Sequence, residues 1–267
     1  MTILITGGTG NIGRCVAKLL ADHHPRVMTR KPTSKLDVYG DFERPDTWAD
    51  VLKGVTSVYL FPFADAKFVS AAHEAGVRRF VVHSAAAAAF AITDDGTALA
   101  EHLIDERDGH RAVEAMVEAT GAEWTHIRPG LLAANALAWA DQIRATGVVK
   151  EPYPDTGYPW VHEADVAELA VEALLTDEHV SAAYTLTGPA NVSQIDQVRA
   201  ISAAIGREIR FEELSPDQVS PEEYPPWLLE LLAGTDVLKP TDTFERLTGR
   251  EPRTFAQWAL DHAADFR

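Results

Sequence analysis

The sequence predicts an α/β fold in which a doubly wound parallel sheet carries helices on both faces and a small cap closes the C-terminal end. Short apolar runs alternate with amphipathic stretches through the first 130 residues, a pattern typical of βαβ units and a parallel sheet. A glycine-rich turn follows the first apolar run directly and opens the first amphipathic stretch. Beyond residue 130 the alternation loosens and prolines gather, which indicates a cap rather than an independent domain.

The apolar runs of the first part have the length and composition of strands. They are Thr2–Thr6, Arg26–Thr29, Leu36–Tyr39, Ser57–Leu60, Arg79–His83 and Trp124–Arg128. The amphipathic stretches between them predict helices at Ile12–Ala21, Thr47–Leu52, Ala66–Ala75 and Leu99–Thr120. Gly76 and Gly121 follow two of these stretches, as glycine often does at the ends of helices, and Pro129-Gly130 closes the last strand.

The predicted elements are more widely spaced after residue 130. Helices are expected at Asn135–Ala145, Ala164–Leu175 and Ser193–Ile205, a strand at Ala183–Leu186, and a proline- and aromatic-rich loop over Glu151–Trp160. Ser193 has the side chain of a helix N-cap. We expect one unit over residues 1–267, in which residues 1–130 form the core and residues 131–267 complete the sheet and form the cap.

Composition limits the classes of partner. The 267 residues carry a net charge of −16, which disfavours nucleic acid as a partner because such binding depends on Lys and Arg. No apolar run approaches the roughly 18–20 residues that span a bilayer, and a first strand at Thr2 leaves no room for a signal peptide. The single cysteine, Cys15, fits a reducing cytoplasm and offers no multi-cysteine metal site. We expect a cytoplasmic monomer or homodimer with a small-molecule partner and no metal.

The glycine-rich turn is Gly7-Gly8-Thr9-Gly10-Asn11-Ile12-Gly13. Gly7 permits a tight turn, Gly10 lets the backbone approach a pyrophosphate, and Gly13 lets the helix pack on the strand. The unpaired N–H groups at the start of the following helix attract phosphate. Strand, turn and helix in this order predict a dinucleotide site of Rossmann type.

The end of the second strand favours NADP(H) over NAD(H). An NAD-specific site has an acidic residue here, for the ribose hydroxyls, but no acid lies between Arg26 and Lys35. Arg30 is placed to bind a 2′-phosphate with its planar guanidinium, and Lys31 adds a second charge. The alternative is that both are solvated surface cations.

The spacing of the turn resembles that of the short-chain dehydrogenase/reductase superfamily, and the order of several segments resembles its atypical, NmrA-like branch of NAD(P)-binding oxidoreductases. The matching segments lie between residues 2 and 213 and are Ile5–Gly13, Gly40–Phe42, Ala75–Val81, Trp124–Gly130, Val161–Ala167 and Tyr184–Pro189. The resemblance implies that Asp41 and Phe42 lie near the adenine.

Residues after the fourth and fifth strands are expected to line the cofactor at the carboxyl edge of the sheet. They are Phe61, Pro62, Phe63, His83 and Ser84. For Phe61 and Phe63, plain core packing is an equal alternative.

The superfamily's proton donor is a tyrosine followed four residues later by a lysine, and no tyrosine of this chain has that partner. His110 lies in the corresponding helix, one turn before Glu114. A histidine titrates near neutral pH and can donate a proton or hold the nicotinamide ribose. The alternative is a surface histidine paired with Glu114. Ser84 is a candidate to bind a substrate oxygen, or else to satisfy a backbone group at the strand end.

The second half is rich in aromatic residues that are candidates to line a substrate pocket. They are Trp139, Tyr153, Tyr158, Trp160, Tyr224 and Trp227, together with Asn135. Such a lining suits a flat apolar acceptor, whereas the alternative is that these rings seal the cap onto the core.

Three functions remain open from the sequence. The first is an NADPH-dependent reductase that transfers hydride to a quinone, enone, imine or ketone. The second is a non-catalytic NADP(H)-binding redox sensor or regulator, as the protein that gives the NmrA-like branch its name suggests. The third, with less support, is an isomerase that uses its cofactor without net redox change.

Overall fold

The computed structural model describes residues 1–62, 64–234 and 236–267. Its contacts divide the chain into two compact units. The first comprises Met1–Ala89, Glu106–Pro129 and Glu163–Thr185, and the second comprises Phe90–Asp105, Gly130–His162 and Leu186–Arg267. The chain leaves the first unit after Ala89 and again after Pro129, and it returns at Glu106 and at Glu163.

The strands and helices confirm the predicted α/β fold. The strands are β1 (Ile3–Ile5), β2 (Arg26–Thr29), β3 (Asp37–Tyr39), β4 (Ser57–Leu60), β5 (Arg79–His83), β6 (Glu123–Pro129), β7 (Val148–Glu151), β8 (Gly157–Tyr158), β9 (Ala182–Leu186), β10 (Val192–Ser193) and β11 (Arg210–Glu213). The α-helices are α1 (Asn11–Leu19), α2 (Trp48–Leu52), α3 (Ala66–Glu74), α4 (Ala98–Glu118), α5 (Ala140–Thr146), α6 (Glu163–Leu175), α7 (Gln194–Ile205), α8 (Pro226–Leu232), α9 (Thr243–Thr248) and α10 (Phe255–Asp261).

The main sheet has the strand order β3-β2-β1-β4-β5-β6-β9. The five pairings from β3 to β6 are parallel. The order reverses between β1 and β4. Helix α1, which follows β1, covers one face of the sheet, and helix α3, which follows β4, covers the opposite face. In open parallel sheets, ligands bind at this reversal, outside the carboxyl ends of the strands.

The core of the first unit explains why its strands are continuous apolar runs. β1 and β4 are buried along their whole length, because helices cover both faces of a doubly wound sheet. One face carries a cluster of Leu4, Val58, Phe80 and residues of α2, α3 and α4, with Phe68 at its centre. On the other face α1 packs closely against α6.

The second unit has its own core and two small sheets. Trp258, Phe255 and Phe266 form the centre of its apolar cluster. β7 pairs in parallel with β11, and β8 pairs antiparallel with β10. Within the described ranges, no helix has both the length and the apolar character needed to cross a membrane.

The sequence prediction was accurate for the first unit and poorer for the second. The helix expected at Asn135–Ala145 is a 3₁₀ segment, Ala133–Trp139, followed by α5. The expected loop at Glu151–Trp160 contains β8, and helices α8, α9 and α10 had no predicted counterpart. Of the strands that were not predicted, β8 and β10 are two residues long, so they leave no periodic pattern. The predicted Ser193 N-cap is confirmed, since its side chain accepts from Asp196 N.

Candidate active site

The β1–α1 turn is too tightly packed to accept side chains at three of its glycines. Gly7 has φ +65°, and a Cβ there would lie 2.7 Å from Phe61 Cδ2. A Cβ at Gly13 would overlap the Gly7 carbonyl oxygen, and one at Gly8 would overlap Val27 Cγ1. The role of Gly8, which is close packing of the turn on β2, was not expected from the sequence.

The start of α1 presents backbone N–H groups without a protein cap. Its N-cap residue, Gly10, makes no side-chain cap, and the first turn contains no acidic residue. Thr9 precedes the N-cap, and Asn11 and Ile12 are the first two residues of α1, with Asn11 Oδ1 accepting a 2.9 Å hydrogen bond from Arg14. The uncapped N–H groups and the positive end of the helix dipole are suited to bind phosphate oxygens.

Thr6 joins β1 to β4 at the point where the strand order reverses. Its buried hydroxyl donates to Tyr59 O at 2.9 Å and accepts from Phe61 N at 2.7 Å. This pair of bonds fixes the end of β4 against the glycine turn. Sequence reasoning missed Thr6, because its partners lie more than fifty residues away.

Arg30 and Lys31 lie exposed directly after β2. The backbone there is ordered by Thr29, whose Oγ1 accepts from Lys31 N at 3.1 Å. Neither cation makes a side-chain hydrogen bond or ion pair within the described part of the chain, which leaves both available to an anion. Their role in cofactor binding stays a prediction.

Asp41 and Phe42 are half-buried in the loop after β3. The Asp41 carboxylate accepts from Glu43 N at 3.1 Å. The ring of Phe42 packs edge-on against Phe68, with centroids 4.8 Å apart. Phe42 therefore packs at the edge of the hydrophobic core, and its contact with an adenine stays a prediction.

The ends of β4 and β5 bring Phe61 and His83 together. Their rings are 5.8 Å apart in an edge-on arrangement, and Pro62 follows Phe61 half-buried. Phe61 covers Gly7, so it packs against the turn. Its contact with a cofactor stays a prediction. Phe63 lies outside the described residues.

His83 and His110 are both held in the neutral form. Burial, with a smaller contribution from His110, lowers the pKa of His83 from 6.5 to about 4. Burial also lowers the pKa of His110, against the opposing effect of Glu106. Near neutral pH the two rings therefore act as hydrogen-bonding groups rather than as cations.

The expected alternative for His110, a pair with Glu114, is wrong. His110 Nε2 lies 3.6 Å from Glu106 Oε2, one turn earlier in α4. Glu114 instead accepts two hydrogen bonds from Arg128, at 2.8 and 2.6 Å. The sequence did not reveal this pair because Arg128 comes from β6, fourteen residues after Glu114.

The Glu114–Arg128 pair keeps a charged carboxylate beneath Ser84. Burial opposes ionisation of Glu114, but hydrogen bonds, chiefly those from Arg128, outweigh it and lower the pKa of this carboxyl. Ser84 Oγ adds to that effect, yet it has no partner of ordinary hydrogen-bond geometry among the described residues. Nδ1 of His110 is likewise buried without a partner there. Buried polar atoms are normally satisfied, so these two are candidates to bind a ligand.

Several aromatic residues predicted to line a substrate pocket use their polar atoms inside the second unit. Trp139 donates to Glu151 Oε1 at 2.7 Å, and Tyr224 donates to the other oxygen of the same carboxylate. Tyr158 donates to Leu231 O at 2.5 Å. These bonds give the residues a structural role, and contact with substrate stays a prediction for them.

The remaining candidates for a substrate pocket also lie in the second unit, and each of them is at least partly exposed. Trp160 donates to Val192 O at 2.9 Å and lines an apolar hollow of about 310 Å³. Trp227 stacks on His102 at 3.8 Å between ring centroids. Asn135 is exposed, and Tyr153 is half-buried with φ 58°.

Comparison with known proteins gives the family of the chain. Residues 7–177 match the family described as NAD(P)H-binding. The chain is 34% identical to (4-alkanoyl-5-oxo-2,5-dihydrofuran-3-yl)methyl phosphate reductase of Streptomyces griseus, with 99% of both chains covered. It is 31% identical to NAD(P)H azoreductase of Xenophilus azovorans, again with 99% of both chains covered.

A solved structure shows the same fold at lower identity. It is the NADPH-dependent quinone oxidoreductase QOR2 of Escherichia coli in complex with NADPH. The TM-score is 0.74 and the identity 21%, with 97% of this chain and 99% of that chain covered.

Gly13→Ala tests the close approach in the turn. The added methyl group would overlap the Gly7 carbonyl oxygen, so we expect a loss of about 1–3 kcal/mol in the free energy of unfolding and weaker NADPH binding. Urea unfolding and fluorescence titration measure the two effects. Gly109→Ala is the matched control, since nothing lies within 4 Å of its added Cβ. Equal stability of the Gly13 variant and the wild type would contradict the packing argument.

His83→Gln tests the neutral histidine. The folded state disfavours the charged ring between pH 6.5 and about 4, so the unfolded chain binds the extra proton there and stability falls as pH falls. The variant lacks this group, and we expect a shallower loss of stability across that window in urea unfolding. His23→Gln removes an exposed histidine and should leave the slope unchanged. A wild-type slope in the His83 variant would rule out its contribution.

Proposed function

The chain belongs to the NAD(P)H-binding family, and we propose that it is an NADPH-dependent reductase of a small electron-poor organic acceptor such as a quinone, enone, imine or ketone. That it is an oxidoreductase of this family is confirmed by its named relatives, which are reductases. The observation that carries the finer proposal is a pair of buried polar atoms without partners among the described residues, on Ser84 and His110. Ser84 follows the end of β5 directly, and His110 is close enough to His83 to affect its pKa.

The β1–α1 turn fits the phosphates of NADPH. Uncapped N–H groups at the start of α1 would hold the pyrophosphate, and glycines at positions 7 and 13 keep side chains out of the turn. Arg30 would hold the 2′-phosphate through paired hydrogen bonds, with Lys31 beside it. When bound, the cofactor supplies the hydride.

Ser84 and His110 would complete the reduction by acting on the acceptor oxygen or nitrogen. The acceptor gains a hydride and one proton, and the oxidised cofactor remains. A neutral His110 donates a hydrogen bond to the atom on which negative charge develops, and such donors stabilise that charge in a site sheltered from water. Glu106, which lies beside Nε2 of His110 and is exposed, offers a route for a proton from solvent.

The buried ion pair beneath these groups has a positioning role in the proposal. Arg128 satisfies both oxygens of Glu114, so the carboxylate does not need the Ser84 hydroxyl as its donor. The hydroxyl therefore stays available to substrate. The fixed carboxylate also orients α4, the helix that carries His110.

A second candidate function is a regulator that binds NADP(H) without chemistry. The absence of a tyrosine–lysine pair from the sequence favours it. Under this alternative the unsatisfied atoms on Ser84 and His110 bind only the nicotinamide part of the cofactor. The reductase is preferred because both full-length relatives at 30% identity or more are reductases.

Arg30→Ala tests the preference for the phosphorylated cofactor. A charge-assisted hydrogen-bond pair contributes about 1.5–3 kcal/mol, so we expect NADPH affinity to fall by roughly 10- to 100-fold while NADH affinity changes little. Fluorescence titration with NADPH, NADP, NADH and NAD measures this. Lys35→Ala removes a neighbouring exposed cation and is the matched control. Equal affinity of the wild type for NADPH and NADH would contradict the assignment.

His110→Gln tests the chemistry on a panel of quinones, enones, imines and ketones. We expect the wild type to oxidise NADPH with at least one of them, and the variant to lose about 100-fold in kcat with its NADPH affinity unchanged. His23→Gln is the control for an exposed histidine. No NADPH oxidation with the whole panel would favour the regulator, and full activity of the variant would exclude His110 from catalysis.

A further inference from the structure

We propose that Glu172, Glu178 and His179 bind a Zn²⁺ ion at the end of α6, separate from the candidate active site. One ligand atom from each side chain lies within 4.8 Å of the other two. All three residues belong to the first unit. The sequence prediction of no metal rested on the single cysteine, whereas the ligands of this group are two carboxylates and one imidazole.

His179 provides the observation that points to a cation. Its side chain is buried, with 3% of the residue exposed, and its Nδ1 lies 3.1 Å from the Tyr184 hydroxyl. Its Nε2 has no hydrogen-bond partner among the described residues. The nearest carboxylate oxygen, Glu172 Oε1, is 3.5 Å away, which is long for a hydrogen bond.

The tautomer of His179 decides what Nε2 can bind. When Nδ1–H donates to the Tyr184 oxygen, Nε2 carries a lone pair that faces two carboxylates. Lone pair and carboxylates repel each other unless a cation lies between them. Metal-bound histidines commonly have this arrangement, in which the second ring nitrogen is held by a hydrogen bond.

The backbone around His179 is fixed before any ion binds. Its carbonyl accepts from Thr125 Oγ1 at 2.8 Å. Ser181 N donates to Trp124 O at 2.8 Å, so β6 holds the segment on both sides of residue 180. A preorganised segment loses little conformational entropy when it binds a ligand.

Arg79, which pairs with Asp177 two residues before His179, is engaged by other partners. Arg79 bonds to Glu123, Asp177 and the carbonyl of Thr176 at 2.7 Å. It makes no ion pair with Glu172 or Glu178 within the described ranges. Their charges therefore remain to be balanced, in a chain whose net charge of −16 attracts cations.

The donor set selects the metal. One imidazole nitrogen with two carboxylates suits Zn²⁺, which takes nitrogen and oxygen ligands, whereas Mg²⁺ and Ca²⁺ prefer oxygen alone. Glu178 is exposed and Glu172 half-buried, so the ion has access from solvent and a water can complete its coordination. The bound ion would join the last turn of α6 to the segment that leads into β9.

Calorimetric titration of the full chain with ZnCl₂, after treatment with a chelator, tests the site. We expect one ion per chain, and a rise in Tm with zinc but not with MgCl₂. Glu178→Gln removes a ligand from an exposed position, so the fold is not at risk, and should weaken zinc binding at least about 10-fold. Tyr184→Phe should weaken it by about 10- to 100-fold through loss of the bond to Nδ1.

Glu74→Gln is the matched control, because it removes the same charge from an exposed position of α3. Its zinc affinity should stay within about twofold of the wild type. No zinc binding to the wild type at about 100 μM would overturn the proposal. Equal affinity of the wild type and both ligand-side variants, Glu178→Gln and Tyr184→Phe, would overturn it as well, because the ion would then lie elsewhere.

Discussion

The close approach of α1 to the end of β1 is the constraint on which the rest of the first unit depends. The Gly7 carbonyl lies where any side chain at Gly13 would have to go, and the hydroxyl of Thr6 fixes the neighbouring end of β4. The turn therefore places the uncapped start of a helix at the reversal of strand order. Backbone geometry thereby supplies the N–H groups of the proposed phosphate site, in a chain whose overall charge opposes anions.

Charge is distributed differently at the neighbouring strand ends. The two histidines are kept neutral by burial, while the Glu114 carboxylate is paired with Arg128. For the proposed reductase, uncharged donors at these strand ends suit an acceptor that acquires negative charge only during reduction.

The sequence was sufficient for the parallel sheet and the glycine turn, because both leave local signals. Strands buried on both faces are continuous apolar runs, and the turn requires glycine at fixed spacing.

The partners of individual side chains were harder to predict from the sequence. Glu106 and Glu114 are each one turn from His110, and only the position of Arg128 in β6 decides between them. The strands β8 and β10 are two residues long and carry no periodicity. The cluster at His179 depends on the path of the segment after α6, which spacing in the sequence does not define.

Gly8 has a consequence for the history of the chain. Its missing side chain is the space that Val27 Cγ1 occupies, so the two positions share one small volume between the phosphate turn and β2. A larger residue at position 8 is tolerated only after position 27 has become smaller, because that order passes through a cavity whereas the reverse order passes through a clash. Descendants of this sequence are therefore expected to change the two positions together, and the route through Val27→Ala is the one open to them.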